Sequence, residues 1–269
     1  MQTKSLLRTA AGFATLASAM LFQSCGSFSS NPPLPQQASI EHSARPTAET
    51  DFNAIVPNAD IVYFPSDRAV FGSRAEPAAL LLDAMQRTTA PFAIAWDLID
   101  VTQQPLLDQL PAATNEAARE SIIRKLDIGG SGRAREHCRS VLRDRRFAAV
   151  RQIALRWPAE LAAKLAAAQP LSPDEERALP HGFNAPPFEV AANRPDLRVH
   201  VLEQQFSADQ IVSYFNEAGG TGKLLVFLQP QDLTAGQGVP FYVGQKARLR
   251  QMVLDSAANS RAPGIVTQL

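Results

Sequence analysis

The residues best placed for chemistry are two carboxylates, Asp97 and Asp232, each beside a short apolar run. Lys223–Leu228, opened by Gly222, suits a buried strand and leads into the polar turn Gln229-Pro230-Gln231-Asp232. Asp97 directly follows a second such run, Phe92–Trp96. In an open α/β sheet, ligands collect where loops leave the carboxyl ends of strands, so Gln229–Asp232 is the first place to expect a site. Asp232 would bind a hard cation, and Asp97 could join it. Two carboxylates beside an arginine form an ion-pair cluster at least as readily, so neither is assigned as a metal ligand. No Ser-His-Asp order and no C-x-x-C pair is present, and no catalytic residue is assigned. His137 and Cys138 are adjacent, which on a helix makes their side chains diverge. Gly219-Gly220-Thr221-Gly222-Lys223 is no phosphate loop: Leu224 follows the lysine and the order is helix, loop, strand. It reads as a helix C-cap.

The elements that must position these residues follow in chain order. Asp60–Phe64 is a strand bounded by prolines, Ala75–Arg87 a helix, and Phe92–Trp96 a strand. This βαβ unit implies parallel pairing. Asn115 caps a helix Glu116–Leu126, and a strongly basic helix spans roughly Arg133 to Arg146. Its arginines cover apolar surface with their stems, or offer bidentate bonds to anionic groups such as lipid headgroups or haem propionates. Ala149–Arg156 is the next strand candidate, and Trp157-Pro158 opens a helix. Ser172 and Glu175 form a capping box. His181 falls in a Gly- and Pro-rich loop. Arg198–Glu203 alternates as a strand, with His200 opposite Val199 and Val201, and Ser207 caps a separate helix to Ala218. Arg250–Asp255 is a last short strand. The expected fold is α/β: a mostly parallel sheet flanked by helices, with a small helical insert at about 110–147.

Three blocks resemble the ChaN-like haem-binding lipoproteins, relatives of the erythromycin esterases and Tiki proteases. Tyr63-Phe64 leads into Pro65-Ser66-Asp67-Arg68 where that family has G-E-x-H. Trp96-Asp97-Leu98-Ile99 stands at its glutamate tetrad, and Gln103-Gln104-Pro105-Leu106-Leu107-Asp108 keeps its Q-Q-P-x-L-D tail. Gln229-Pro230-Gln231-Asp232 occupies the G-N-G-H loop. Arg156 replaces the family's strand-end asparagine. The frame is kept while both motif histidines are gone. Arg68 cannot ligate, because its guanidinium stays protonated, and Ser66 cannot act as a carboxylate base. The resemblance implies haem binding in iron acquisition. Haem needs an apolar slot, an axial Tyr or His and cations for its propionates, and Tyr63, Tyr214, Tyr242, His137, His181 and His200 are the available ligands. The alternative is a non-catalytic scaffold that kept the fold and lost the ligand. A residual metal-dependent hydrolase using Asp97 and Asp232 stands third.

The chain opens with Lys4 and Arg8, an apolar small-residue run Ala10–Phe22, and Ser24-Cys25. This pattern is a secretory signal, too short to span a bilayer, which takes about 20 apolar residues. Leu21–Cys25 is similar to a bacterial lipobox, with Cys25 as the lipidated residue. That places the mature chain on a cell-envelope membrane through an acyl anchor. If Cys25 is acylated, Cys138 has no disulfide partner. Residues 26–50 are rich in Ser, Pro, Gln and Thr and read as a flexible tether with a solvated His42, and the α/β domain spans 51–269. Formal net charge is zero, so nothing global points to nucleic acid.

Overall fold

Four strands read as nearly continuous apolar runs, the composition expected of strands covered on both faces. In the computed structural model they form the middle of one sheet; the residues described are 40–43, 50–66, 77–177, 179, 195–233, 238–254 and 266–267. The strands are β1 (Ile40–Ser43), β2 (Ile61–Pro65), β3 (Phe92–Asp100), β4 (Arg151–Arg156), β5 (Lys223–Leu228), β6 (Gln251–Leu254) and β7 (Val266–Thr267). Their order is β4-β3-β5-β2-β6-β1-β7. Every pairing is parallel except β1 with β7. The α/β architecture is as expected. One detail of the βαβ unit differs: β2 and β3 do not pair with each other, because β5 lies between them and pairs with both. A local run fixes the strand and its direction, but strand order depends on a segment more than a hundred residues downstream.

The helices are α1 (Phe52–Asn58), α2 (Pro77–Gln86), α3 (Gln104–Leu107), α4 (Glu116–Lys125), α5 (Gly132–Arg143), α6 (Ala159–Ala166), α7 (Pro173–Arg177), α8 (Pro195–Glu217) and α9 (Val239–Lys246). Alternation along β2 divides the core. Val62 and Phe64 face a cluster shared with α1, α2, α4 and α5, while Ile61 and Tyr63 face α8 and α9. On the first face Trp96 stacks on Phe227 at 4.5 Å between ring centroids, and His137 meets Phe227 edge-on at 4.8 Å. A third cluster joins Trp157 and Leu161 to Leu202 and Phe206 of α8.

Caps read from sequence are present. Asn115 Oδ1 accepts from the Ala118 amide at 2.8 Å. Ser172 and Glu175 exchange the two bonds of a capping box. Gly219 and Gly220 take positive φ after α8, and the Gly220 amide donates to the Phe215 carbonyl at 2.8 Å.

Two readings are corrected. The strand expected at Arg198–Glu203 is helix, because α8 runs unbroken through Ser207. Val199 and Val201 alternate, yet over the longer stretch Leu202, Phe206, Ile211 and Phe215 recur at helical spacing and are all buried. Ser207 therefore caps nothing, and its Oγ donates to the Leu155 carbonyl at 3.0 Å. The stretch read as a tether also contains β1, which pairs in parallel with β6. A four-residue edge strand has too few residues for a period to show. The signal segment, Cys25, Arg68 and His181 lie outside the described residues.

Candidate functional site at the carboxyl edge of the sheet

Trp96 and Phe227 are the last paired residues of β3 and β5, so the chain beyond them emerges at one edge of the sheet. There the structure brings together four of the positions singled out from sequence, Ser66, Asp97, Gln229 and Asp232. Asp97, 6% exposed, accepts a hydrogen bond on Oδ2 from the Gln229 amide, which ties β3 to the turn after β5. Asp232 lies in the 3₁₀ turn Pro230–Leu233 that follows. Ser66, one residue past β2, is buried, and its Oγ has no hydrogen-bond partner among the described residues.

A cleft of about 70 Å³ opens between Asp97, Asp232, Arg156, Trp157 and α8. Helix α8 supplies groups that the sequence reading missed. Gln204 Nε2 donates to Asp232 Oδ1 at 3.0 Å and lies 2.9 Å from His200 Nε2, one turn earlier on the helix. His200 Nε2 is 3.6 Å from Asp232 Oδ1. Glu203 is a third carboxylate on the cleft wall. Reading 198–203 as a strand hid this set, since a helix puts residues 200, 203 and 204 on one face while a strand turns 203 away from the other two.

The electrostatics follow from burial. Burial pushes the Asp97 carboxyl well above the ordinary carboxylate range and the Asp232 charge adds to this, against the Gln229 amide and the Arg156 guanidinium. Asp232 is raised by burial and opposed by Gln204 and His200. Glu203 is also raised, again mainly by burial. Arg156 is the compensating cation, and its placement depends on a glycine. A Cβ on Gly129 would stand 1.9 Å from Arg156 Nη1, so any side chain there would push the flexible guanidinium out of its present place. Asp97 Oδ1, Arg156 Nε and Trp157 Nε1 are buried without hydrogen-bond partners among the described residues. Such groups mark a site that takes water or ligand.

Among the described residues, no group of three or more His, Cys, Asp or Glu is placed to hold a metal ion. The two buried hydroxyls at this edge are not activated. Ser207 Oγ is committed to a carbonyl, and no base contacts Ser66 Oγ among the described residues.

The axial-ligand candidates separate clearly. Tyr63 is fully buried and donates to Gln251 Oε1 at 2.7 Å. Tyr214 and Tyr242 are buried under α8 and α9. His137 sits in the aromatic core, where burial lowers its pKa to about 3. His200 alone of those described is part-exposed at the cleft, with 36% of its side chain accessible. The basic stretch is neutralised at home only in its second half, from Arg143 onward, and Arg133, Arg135 and Arg139 make no ion pair among the described residues. Arg143 pairs with Glu120 and Glu136, Arg145 with Glu116, and Arg146 with Asp83 and Asp144.

The Q-Q-P-L-L-D segment proves architectural. Gln104 donates to the Gln152 carbonyl at 2.9 Å and accepts from the Ala154 amide at 2.8 Å, so its amide mimics one more strand residue against β4. Gln103 makes the same two-way bond with the Asp127 backbone.

No family model and no curated protein matches the chain. Among solved structures it is similar to ChaN of Campylobacter jejuni, described with cofacial haem binding. That likeness has a TM-score of 0.51 at 14% identity and covers 76% of this chain and 83% of ChaN. A mutant of the erythromycin esterase EreC in its open conformation aligns with a TM-score of 0.44 at 13% identity, over 78% of this chain and 76% of the esterase. The fold is thus that of ChaN. At this identity the likeness speaks for the fold alone.

Proposed function

We propose that this chain is a non-catalytic, ChaN-like binding protein of the bacterial cell envelope, held on a membrane through a lipid on Cys25, with haem as its ligand. The observation that carries the reading is His200. Gln204 donates its amide hydrogen to Asp232, and the same nitrogen lies within hydrogen-bond distance of His200 Nε2. Iron would need the Nε2 lone pair that Gln204 faces, and Gln204 can release it because its amide also donates to Asp232. The residues fit haem in part. They offer one axial imidazole and, in Arg156, a cation for a propionate. They do not enclose a macrocycle, since 70 Å³ is far below the roughly 300–1,000 Å³ of ligand pockets. His200 would hold the iron and Arg156 a propionate, and the bound haem would supply an iron centre and its visible absorption.

The test is a haem titration of the purified chain followed at the Soret band, in wild type and His200→Ala. A saturable shift that weakens at least about tenfold in the variant is expected, the loss that about 1.4 kcal/mol represents. A featureless wild-type titration, or one indifferent to the substitution, sinks the haem reading. Lipidation is tested apart. Cys25→Ser should leave an unprocessed or soluble product, and unchanged mass and membrane fractionation would count against the anchor.

A second reading, a scaffold without a small ligand, is favoured by the tie between Asp97 and the Gln229 amide. That bond spends a would-be ligand carboxylate on joining two strands. A folded, monodisperse protein that ignores haem would support it.

A further inference from the structure

A second cavity lies at the opposite, amino edge of the sheet and belongs to none of the motifs above. Its volume is about 480 Å³, inside the about 300–1,000 Å³ range of small-molecule sites. One wall is apolar, made by Val56 and Pro57 of α1 and Ala84 of α2. Its lining also holds two cations, Arg87 after α2 and Lys223 opening β5.

Neither cation has a carboxylate within ion-pair distance among the described residues. Arg87 Nη1 donates to Asn53 Oδ1 at 3.2 Å, a neutral acceptor, and a guanidinium has four further N–H groups. Lys223 Nζ donates to the carbonyls of Pro57, at 3.2 Å, and Ala59. One of its three donors remains. Asp60, whose charge is felt by Lys223, is already clamped by Arg250, with Nη2 to Oδ1 at 2.6 Å. The carboxyl ends of α1 and α2 lie at this edge and bring about half a negative charge each. Two full positive charges exceed that, so the groove carries a surplus of about one positive charge.

We propose that this groove binds a small organic monocarboxylate, its carboxylate on Arg87 and Lys223 and its apolar body against Val56, Pro57 and Ala84. Apolar side chains and two cations without a carboxylate partner lining one groove are what such a molecule complements, with the bidentate geometry of arginine setting its orientation. The site is independent of the haem reading, because it lies at the other end of the strands.

The experiment titrates the full chain with benzoate and follows the backbone amide signals of Thr88 and Thr89, both of which line the groove. Benzyl alcohol and inorganic phosphate serve as comparisons, one lacking the charge and the other the apolar body. Benzoate should give saturable shifts, with both comparisons about tenfold weaker and Arg87→Gln weakening benzoate by a similar factor, as loss of one charge-assisted hydrogen bond predicts. Arg87 is exposed, so the variant should keep the wild-type melting temperature. Benzoate shifts that never saturate, equal binding of phosphate, or indifference to Arg87→Gln would each overturn the proposal.

Discussion

Asp97 is a buried carboxylate committed to a backbone bond. Gln229 supplies it with a backbone amide, and the Asp232 charge raises its pKa further. Folding raises the Asp97 pKa, so its contribution to stability is full with the carboxyl protonated, below its ordinary value of 3.8. That contribution is lost as pH rises through the folded value. Asp97→Asn keeps an acceptor for the Gln229 amide and removes the buried charge. It should stabilise the protein at pH 7, where the buried charge is costly. The difference should vanish below about pH 4. Urea unfolding at the two pH values measures it, and an Asp97→Asn protein less stable at pH 7 would show that the charge is needed against Arg156.

At the scale of elements, the outermost strand and the longest helix matter most. β4 ends the sheet on one side, and a bare edge invites pairing with another chain. Gln104 covers part of it by bonding the backbone on both sides of Ile153. Gln104→Ala leaves that carbonyl and amide unpaired, at a cost of about 1–3 kcal/mol. It should also raise light scattering at high protein concentration, while an unchanged urea midpoint would show that water replaces the clasp. Helix α8 does more for the site than any motif, since Glu203, Gln204 and Ser207 all reach the cleft from it.

The whole molecule is a sheet with two different ends. The carboxyl edge is acidic, buried and narrow; the amino edge is cationic and roomy. Between them the core holds His137, whose pKa is lowered to about 3 by burial. A histidine kept neutral by folding contributes stability that is present above its ordinary value of 6.5 and lost as pH falls towards 3. His137→Phe keeps a ring against Trp96 and Phe227 and removes that titration. Relative to wild type the variant should gain on acidification, on the order of 4 kcal/mol by pH 3. Parallel pH–stability curves for the two proteins would refute this.

Apolar runs, prolines and caps in the sequence were enough to determine the α/β class, β2 to β6 and most helices. Each of those signals is local, set by a period of two or 3.6 residues or by a single capping side chain. Ser66, Asp97, Gln229 and Asp232 come to one edge because Asp97 lies in the second half of β3 and the other three follow the parallel strands β2 and β5. Tertiary structure alone decided that β5 lies between β2 and β3, that residues 195–217 are one helix, and that Glu203 and Gln204 line the cleft with His200 beside Asp232. It also decided which tyrosines and histidines are sealed in the core. Strand order and burial depend on contacts between segments far apart in the chain, and a short alternating run fits strand and helix equally until its neighbours choose between them.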